Sequence, residues 1–345
     1  MRNRGLRIFF RVDADSHIGT GHLYECLWLA QYLKARALFC IRENVSAQTL
    51  VRQHGFSTLV LPAAGKRKGE ERSWIKETLH SFMPHAVVTD ILAIRARDLE
   101  QYSIATCPLI ILNAIWHPIR PTARLPNAIT HITTVFTPLK ENKKFFGPQY
   151  ILLREGFRHA KPISIAREVK NIFILFGGAD PNNFTLKALR ALHQIPGQFA
   201  VMIVVGRAFK FSDQVQRFLS TFSKPYHLYT DIQSDTKLIR VMEKSNLALV
   251  SGGYTLSELL RLGVPCIALS QNRIEDTKIF ANFPQDAFRY MGRGTNISVK
   301  QLAHTIQKLM ADYPARKKLS QRAHGIVDGK GIQRVAKIIT QAAHV

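Results

Sequence analysis

Residues 6–33 read LRIFFRVDADSHIGTGHLYECLWLAQYL. The stretch opens with an apolar run of strand length, passes through a turn holding Gly19 and Gly21, and continues into a helical pattern. A near-continuous apolar run is what a strand buried on both faces shows, and glycine in the turn allows a tight bend and close approach of a ligand to the backbone. The unit reads as a β-strand delivering a loop and a helix N-terminus, the building block of a parallel α/β sheet.

The same alternation recurs on either side. In the first half ALFCIR, STLVLP, AVVTDIL and LIILNAI have strand character, and in the second half so do NIFILFGG, FAVMIVVG, YHLYT, LALVSGG and PCIALS. Helical patterns such as TLKALRALHQI, TLSELLRLG and SVKQLAHTIQKLMADY lie between them. At roughly 100 to 200 residues per domain the chain predicts two domains, and residues 156–170, polar and carrying Pro162, read as the linker. The expected boundaries are 1–158, a sugar- or acceptor-side domain, and 159–345, a nucleotide-binding domain. Two doubly wound parallel sheets facing across a cleft are the simplest architecture, with ligands at the C-terminal ends of the strands.

Composition narrows the function. Hydrophobic residues at 46% and charged residues at 21% exclude a disordered chain. No window approaches about 18 uninterrupted apolar residues, and the first apolar run is too short for a secretory signal, so the expected location is the cytoplasm. Cys26, Cys40, Cys107 and Cys266 show no C-x-x-C spacing, which argues against a zinc ribbon or a disulfide framework. The 48 basic residues against 24 acidic ones leave a net charge of +24, which favours anionic partners. Basic clusters such as Arg316, Lys317 and Lys318 are short and lack interleaved stacking aromatics, which disfavours nucleic acid. Phosphorylated small molecules and the anionic inner face of a membrane remain.

Three glycine-bearing turns carry candidate chemistry. In the first, Gly19 and Gly21 offer backbone amides to a phosphate or sugar and place His22 at the start of a helix, whose N-terminus disfavours imidazolium and leaves a neutral general base, although a packing or capping histidine fits the same pattern. Arg11 and Asp13 flank this turn, Asp13 as an orienting partner of His22 or a sugar-hydroxyl ligand. In the second, Gly177 and Gly178 leave backbone amides for a phosphate, with Asp180 and Pro181 starting the next helix. In the third, Ser251-Gly-Gly-Tyr-Thr-Leu-Ser-Glu, the spacing of Thr255 and Glu258 suits a capping box. Alternatively Gly252, Gly253 and Thr255 meet a diphosphate and Glu258 a ribose. Asp13 and Asp15 also match the D-x-D pattern of divalent-metal sites, but such short acidic residues are ordinary turn formers, and no metal or other cofactor is expected.

Together R-x-D-x-(x)-S-x-I-G-x-G-H, F-G-G-x-D-P-x-N-x-T and G-G-x-T-x-x-E-x-x-x-L-G-x-P resemble the family of the UDP-sugar hydrolase of pseudaminic acid biosynthesis and the spore-coat polysaccharide proteins. The resemblance runs from about Leu6 to Gly294. It implies a GT-B fold, related to the transferase that adds N-acetylglucosamine to a lipid-linked muropeptide. It implies that His22 is the base activating water against the anomeric carbon, without a metal, and that Gly252, Gly253, Thr255 and Glu258 hold the nucleotide. Arg11, Asp90 and Asn272 are carried as substrate-side residues. The chain departs from the family at Glu25, where arginine is common, and after Asp90, where Ile91 and Leu92 replace a His-Tyr pair. The Leu-Leu-Arg segment at Leu152 to Phe157 is recognisable.

The expected function is a metal-independent nucleotide-sugar hydrolase releasing UDP in surface-glycan biosynthesis. A GT-B glycosyltransferase with a sugar or lipid-linked acceptor is the first alternative, and a noncatalytic nucleotide-sugar or nucleic-acid binder the second. The basic surface, which would hold the protein at an anionic membrane face, leans toward the transferase.

Overall fold

The computed structural model describes residues 5–14, 20–63, 68–91, 99–102, 106–112, 129–133 and 143–343. The chain divides into two units, one of residues 1–152 and 330–345 and the other of 153–329.

In the first unit the strands are β1 (Arg7–Val12), β2 (Arg36–Arg42), β3 (Ser57–Leu61), β4 (Ala86–Asp90), β5 (Leu109–Leu112), β6 (Ile129–Thr133) and β7 (Lys143–Phe146). They form a parallel sheet in the order β3-β2-β1-β4-β5-β6-β7. Helices α1 (Gly21–Leu33), α2 (Val45–Gln53) and α3 (Lys68–Phe82) connect the early strands. The opening run of β1 explains itself: Ile8, Phe10 and Val12 join Leu23, Leu27 and Leu29 in one core, while Phe9 joins Ile75, Leu79 and Tyr102 in another. Period-2 alternation thus puts apolar side chains on both faces of a central strand.

The second unit has β8 (Asn171–Leu175), β9 (Ala200–Val205), β10 (Tyr226–Thr230), β11 (Leu247–Val250), β12 (Cys266–Ser270) and β13 (Arg289–Arg293), parallel in the order β10-β9-β8-β11-β12-β13. Its helices of eight residues or more are α4 (Phe184–His193), α5 (Ser212–Leu219), α6 (Asp235–Glu243), α7 (Tyr254–Leu262), α8 (Arg273–Asn282), α9 (Val299–Ala311) and α10 (Tyr313–Ile326). α9 starts where its pattern predicts, at a capping box between Ser298 and Gln301.

Two features differ from the sequence expectation. The last helix, α11 (Gly331–Ala343), packs in the first unit, where Ile332, Val335 and Ile339 enter the core under α1. Residues 330–345 therefore leave the expected C-terminal domain, and the first unit's main segment ends at residue 152 rather than 158. Strands β6, β7 and β13 also escape the reading of apolar runs. Their sequences, ITHIT, KKFF and RYMGR, are short and interrupted by polar or charged residues, as suits strands toward the margin of a sheet.

In both sheets the strand order reverses direction once beside the first strand of the unit, between β1 and β4 and between β8 and β11. Connections on the two sides of such a point diverge, leaving a crevice beyond the strand C-termini where doubly wound folds bind ligands.

Candidate active site

In the first unit the end of β1, the start of α1 and the end of β4 come together at this switch point, with Val12 and Asp90 in register. α1 begins at Gly21, so His22 occupies its first turn. The imidazole Nδ1 lies 2.7 Å from Asp90 Oδ1, and the two residues are 4% and 1% exposed. An ionised carboxylate only accepts hydrogen bonds, so Asp90 selects the tautomer with the proton on Nδ1 and directs the lone pair to Nε2. Asp90 Oδ2 is buried and has no hydrogen-bond partner among the described residues. Glu25, one turn along α1, is 3% exposed and joins His22 and Asp90 in one buried cluster.

This arrangement corrects the role offered for Asp13. Its carboxylate takes both Arg11 Nη1 and Nη2, at 2.5 and 2.8 Å, and the backbone N–H of Arg42 at 3.2 Å. Arg42 in turn reaches Glu71 at 2.7 Å. Burial opposes ionisation of Asp13, but Arg11 and Arg42 outweigh it and hold the carboxyl below its ordinary range. Asp13 and Arg11 thus form a charge ladder joining β1 to β2, and the residue that orients His22 is Asp90. Gly19 and Asp15 lie outside the described residues.

In the second unit two of the glycine turns follow the strands β8 and β11 that flank the switch point. Gly177 adopts a left-handed φ of 84° directly after β8. A Cβ on Gly206 would overlap the Gly178 backbone, so these two loops pass in main-chain contact. Asp180 does not begin the helix, which starts at Phe184. Its carboxylate accepts from the backbone N–H of Phe184 and Thr185, at 2.9 and 2.8 Å. Gln271 then ties the turn to the end of β12, donating to Phe176 O and Asp180 Oδ1, both at 3.0 Å.

The third turn departs from the capping-box reading. The N-cap of α7 is Gly253 with no side-chain cap, and Thr255 lies inside the helix. Glu258, 1% exposed, instead meets Arg154 Nε at 2.6 Å, and Arg154 Nη1 reaches Asp235 at 3.3 Å. Burial pushes the Glu258 carboxyl above its ordinary value, with Arg154 acting in the opposite sense. Gly252 has a packing reason, since a Cβ there would overlap Ile279, whereas Gly253 faces open space. Asn272, assigned to substrate, is the N-cap of α8, its carbonyl accepting from Ile274 and Glu275 N–H at 2.9 and 3.0 Å.

Two residues unassigned from sequence enter the site, Arg154 and Gln271. Arg154 belongs to the Leu-Leu-Arg segment, whose motif marks it without revealing its partner. Gln271 carries no local signal, because its bonds reach residues some 90 positions earlier.

No protein-family model matches the chain. The chain is 27% identical over 335 residues to the spore coat polysaccharide biosynthesis protein SpsG of Bacillus subtilis, covering 95% of this chain and 96% of that one. Among solved structures, Acinetobacter baumannii MurG superposes with a TM-score of 0.73 at 13% identity, covering 97% of this chain and 99% of its own. The Anabaena HepE protein in complex with UDP and glucose gives 0.62 at 14% identity, covering 97% and 100%. The chain is thus similar in sequence to SpsG over nearly its whole length, and its two parallel-sheet α/β units share the fold of MurG and HepE.

Proposed function

We propose that this protein is a glycosyltransferase that moves a sugar from a UDP-sugar to a hydroxyl acceptor in surface-polysaccharide biosynthesis. The observation that carries the reading is the buried His22–Asp90 pair at the switch point of the first sheet. Homology to a polysaccharide biosynthesis protein and the fold of sugar-nucleotide transferases support it. Nε2 of His22 takes the proton of the acceptor hydroxyl as its oxygen bonds to the anomeric carbon. The bond from that carbon to the diphosphate breaks, and UDP leaves with the electron pair. In this reading backbone amides of the Gly177–Gly178 and Gly252–Gly253 turns, which follow strand C-termini, meet the diphosphate, and Thr255 and Glu258 meet the nucleoside.

Hydrolysis is the second reading, favoured by the G-x-G-H loop that ends at His22. It uses the same pair with water in place of the acceptor. Among the described residues no helix is long and apolar enough to cross a membrane. The net charge of +24 is suited to holding the protein at an anionic surface where a lipid-linked acceptor would reside.

The test is mass-spectrometric analysis of products from the full chain incubated with a panel of UDP-sugars, with and without sugar and lipid-linked acceptors. Sugar on the acceptor establishes the transferase. UDP and free sugar at the same rate without acceptor establish the hydrolase. Binding of UDP-sugars without turnover in any condition refutes both.

A further inference from the structure

We propose that His22, Glu25 and Asp90 form a binding site for a divalent transition-metal ion of the zinc class, and that occupancy by such an ion excludes the acid–base role of His22. The second half rests on the function proposed above, and the first half does not.

One candidate ligand atom from each of the three side chains lies within 4.8 Å of the others, and all three residues are buried. Their placement follows from the fold. His22 and Glu25 are three apart on α1 and share one face of the helix, and Asp90 is delivered to that face by the register of β4 on β1. Ligands on packed helices and strands are held more accurately than ligands on loops.

The donor set suits the ion. Imidazole nitrogen and carboxylate oxygen are both zinc ligands, and three of them leave a fourth tetrahedral position for water. Ligand atoms on one tetrahedral zinc stand roughly 3.4 Å apart, so the side chains need only rotate inward from their present spacing. A second observation comes from Asp90 itself. Its Oδ2 is buried without a hydrogen-bond partner among the described residues, a state seldom left uncompensated in a native interior. A cation between the two carboxylates would satisfy that oxygen and offset their mutual repulsion.

Exclusion follows from the inventory of the ring. A neutral imidazole has one in-plane lone pair, and a lone pair engaged by a metal cannot accept a proton. Binding through Nδ1 leaves the hydrogen on Nε2, and binding through Nε2 uses the base directly. Either mode removes the general base.

Calorimetric titration of chelator-stripped full-length protein with zinc chloride tests the site without any substrate. The expected result is one ion per chain, with affinity reduced roughly 10- to 100-fold or more in both Glu25→Gln and Asp90→Asn and unchanged in His54→Gln, a control at the C-cap of α2. Thermal melting of each variant checks the fold, and if Asp90→Asn melts early, Glu25→Gln alone decides. No saturable binding, or wild-type affinity in Glu25→Gln, overturns the site. In the turnover assay zinc should inhibit with the midpoint measured by calorimetry, and chelator should restore the rate. Unchanged or increased turnover at saturating zinc overturns the exclusion while leaving the calorimetric result to stand by itself.

Discussion

Replacing Asp90 by asparagine keeps the shape of the side chain and removes its charge at a position that is 1% exposed and 2.7 Å from His22 Nδ1. Aspartate can only accept, whereas the carboxamide presents an acceptor and a donor. When its NH2 turns to Nδ1, the imidazole must carry its hydrogen on Nε2, and the base is lost. The carboxylate also stabilises the imidazolium that forms as the proton is taken, and asparagine does this less well. The expected loss in kcat is about 10²- to 10⁴-fold, or about 2.7 to 5.5 kcal/mol of transition-state stabilisation. KM should stay within about threefold, because the lost interaction belongs to the chemical step. Exchanging a charge-assisted bond for a neutral one costs about 1 kcal/mol of stability, which moves the Tm of a unit of this size by only a few degrees. The assay is UDP release under saturating UDP-sugar and acceptor, with melting recorded on the same preparation. A variant that melts like the wild type and turns over within about threefold of it would refute the orienting role of Asp90.

Asp13→Asn leaves Arg11 buried beside a neutral partner and should cost about 3 to 5 kcal/mol near neutral pH. Because the folded carboxyl is depressed, wild-type Asp13 contributes stability above its unfolded value of about 3.9 and loses it as pH falls through the lower folded value. Chemical denaturation should show the gap between wild type and variant steady near neutrality and closing below about pH 4, and a gap that is constant down to pH 2 would contradict the ion pairing. Gly252→Ala should destabilise by about 1 to 3 kcal/mol through its clash with Ile279, whereas Gly253→Ala, facing open space, should melt like the wild type yet weaken UDP binding measured by calorimetry. Unchanged UDP affinity in Gly253→Ala would remove that turn from the nucleotide site. Glu258→Ala should both weaken UDP binding and lower the Tm, since Arg154 loses its 2.6 Å partner. A double-mutant cycle with Arg154→Ala should return a coupling of about 1 to 3 kcal/mol, and strict additivity would show the pair to be energetically idle.

Much of the local structure is legible in the chain itself. The run LRIFF predicts a strand buried on both faces, and β1 contributes Phe10 to one core and Phe9 to the other. The pattern SVKQLAHTIQKLMADY predicts α9, and a capping box between Ser298 and Gln301 starts it. Thr255 and Glu258 have the same spacing and form none, because Glu258 is drawn to Arg154 instead. Identical local signals therefore part company when a buried charge finds a distant partner worth more than a cap.

Sequence alone put His22 at the first turn of α1, since a strand, a glycine turn and a helix N-terminus are consecutive and their geometry is local. It offered Asp13 as the orienting carboxylate and carried Asp90 only as a substrate-side residue. Asp13 is nearer along the chain, but its side chain is taken by Arg11, while Asp90, 68 residues from His22, arrives through the pairing of β4 with β1. The return of α11 to the first unit was hidden for the same reason. An amphipathic helix announces that it has a face to bury, but which surface receives it depends on where the strand order leaves an apolar face uncovered. Periodicity and turn chemistry act over a few residues and are written in the sequence, whereas the partners of buried charges and the order of strands are settled only when the whole sheet assembles.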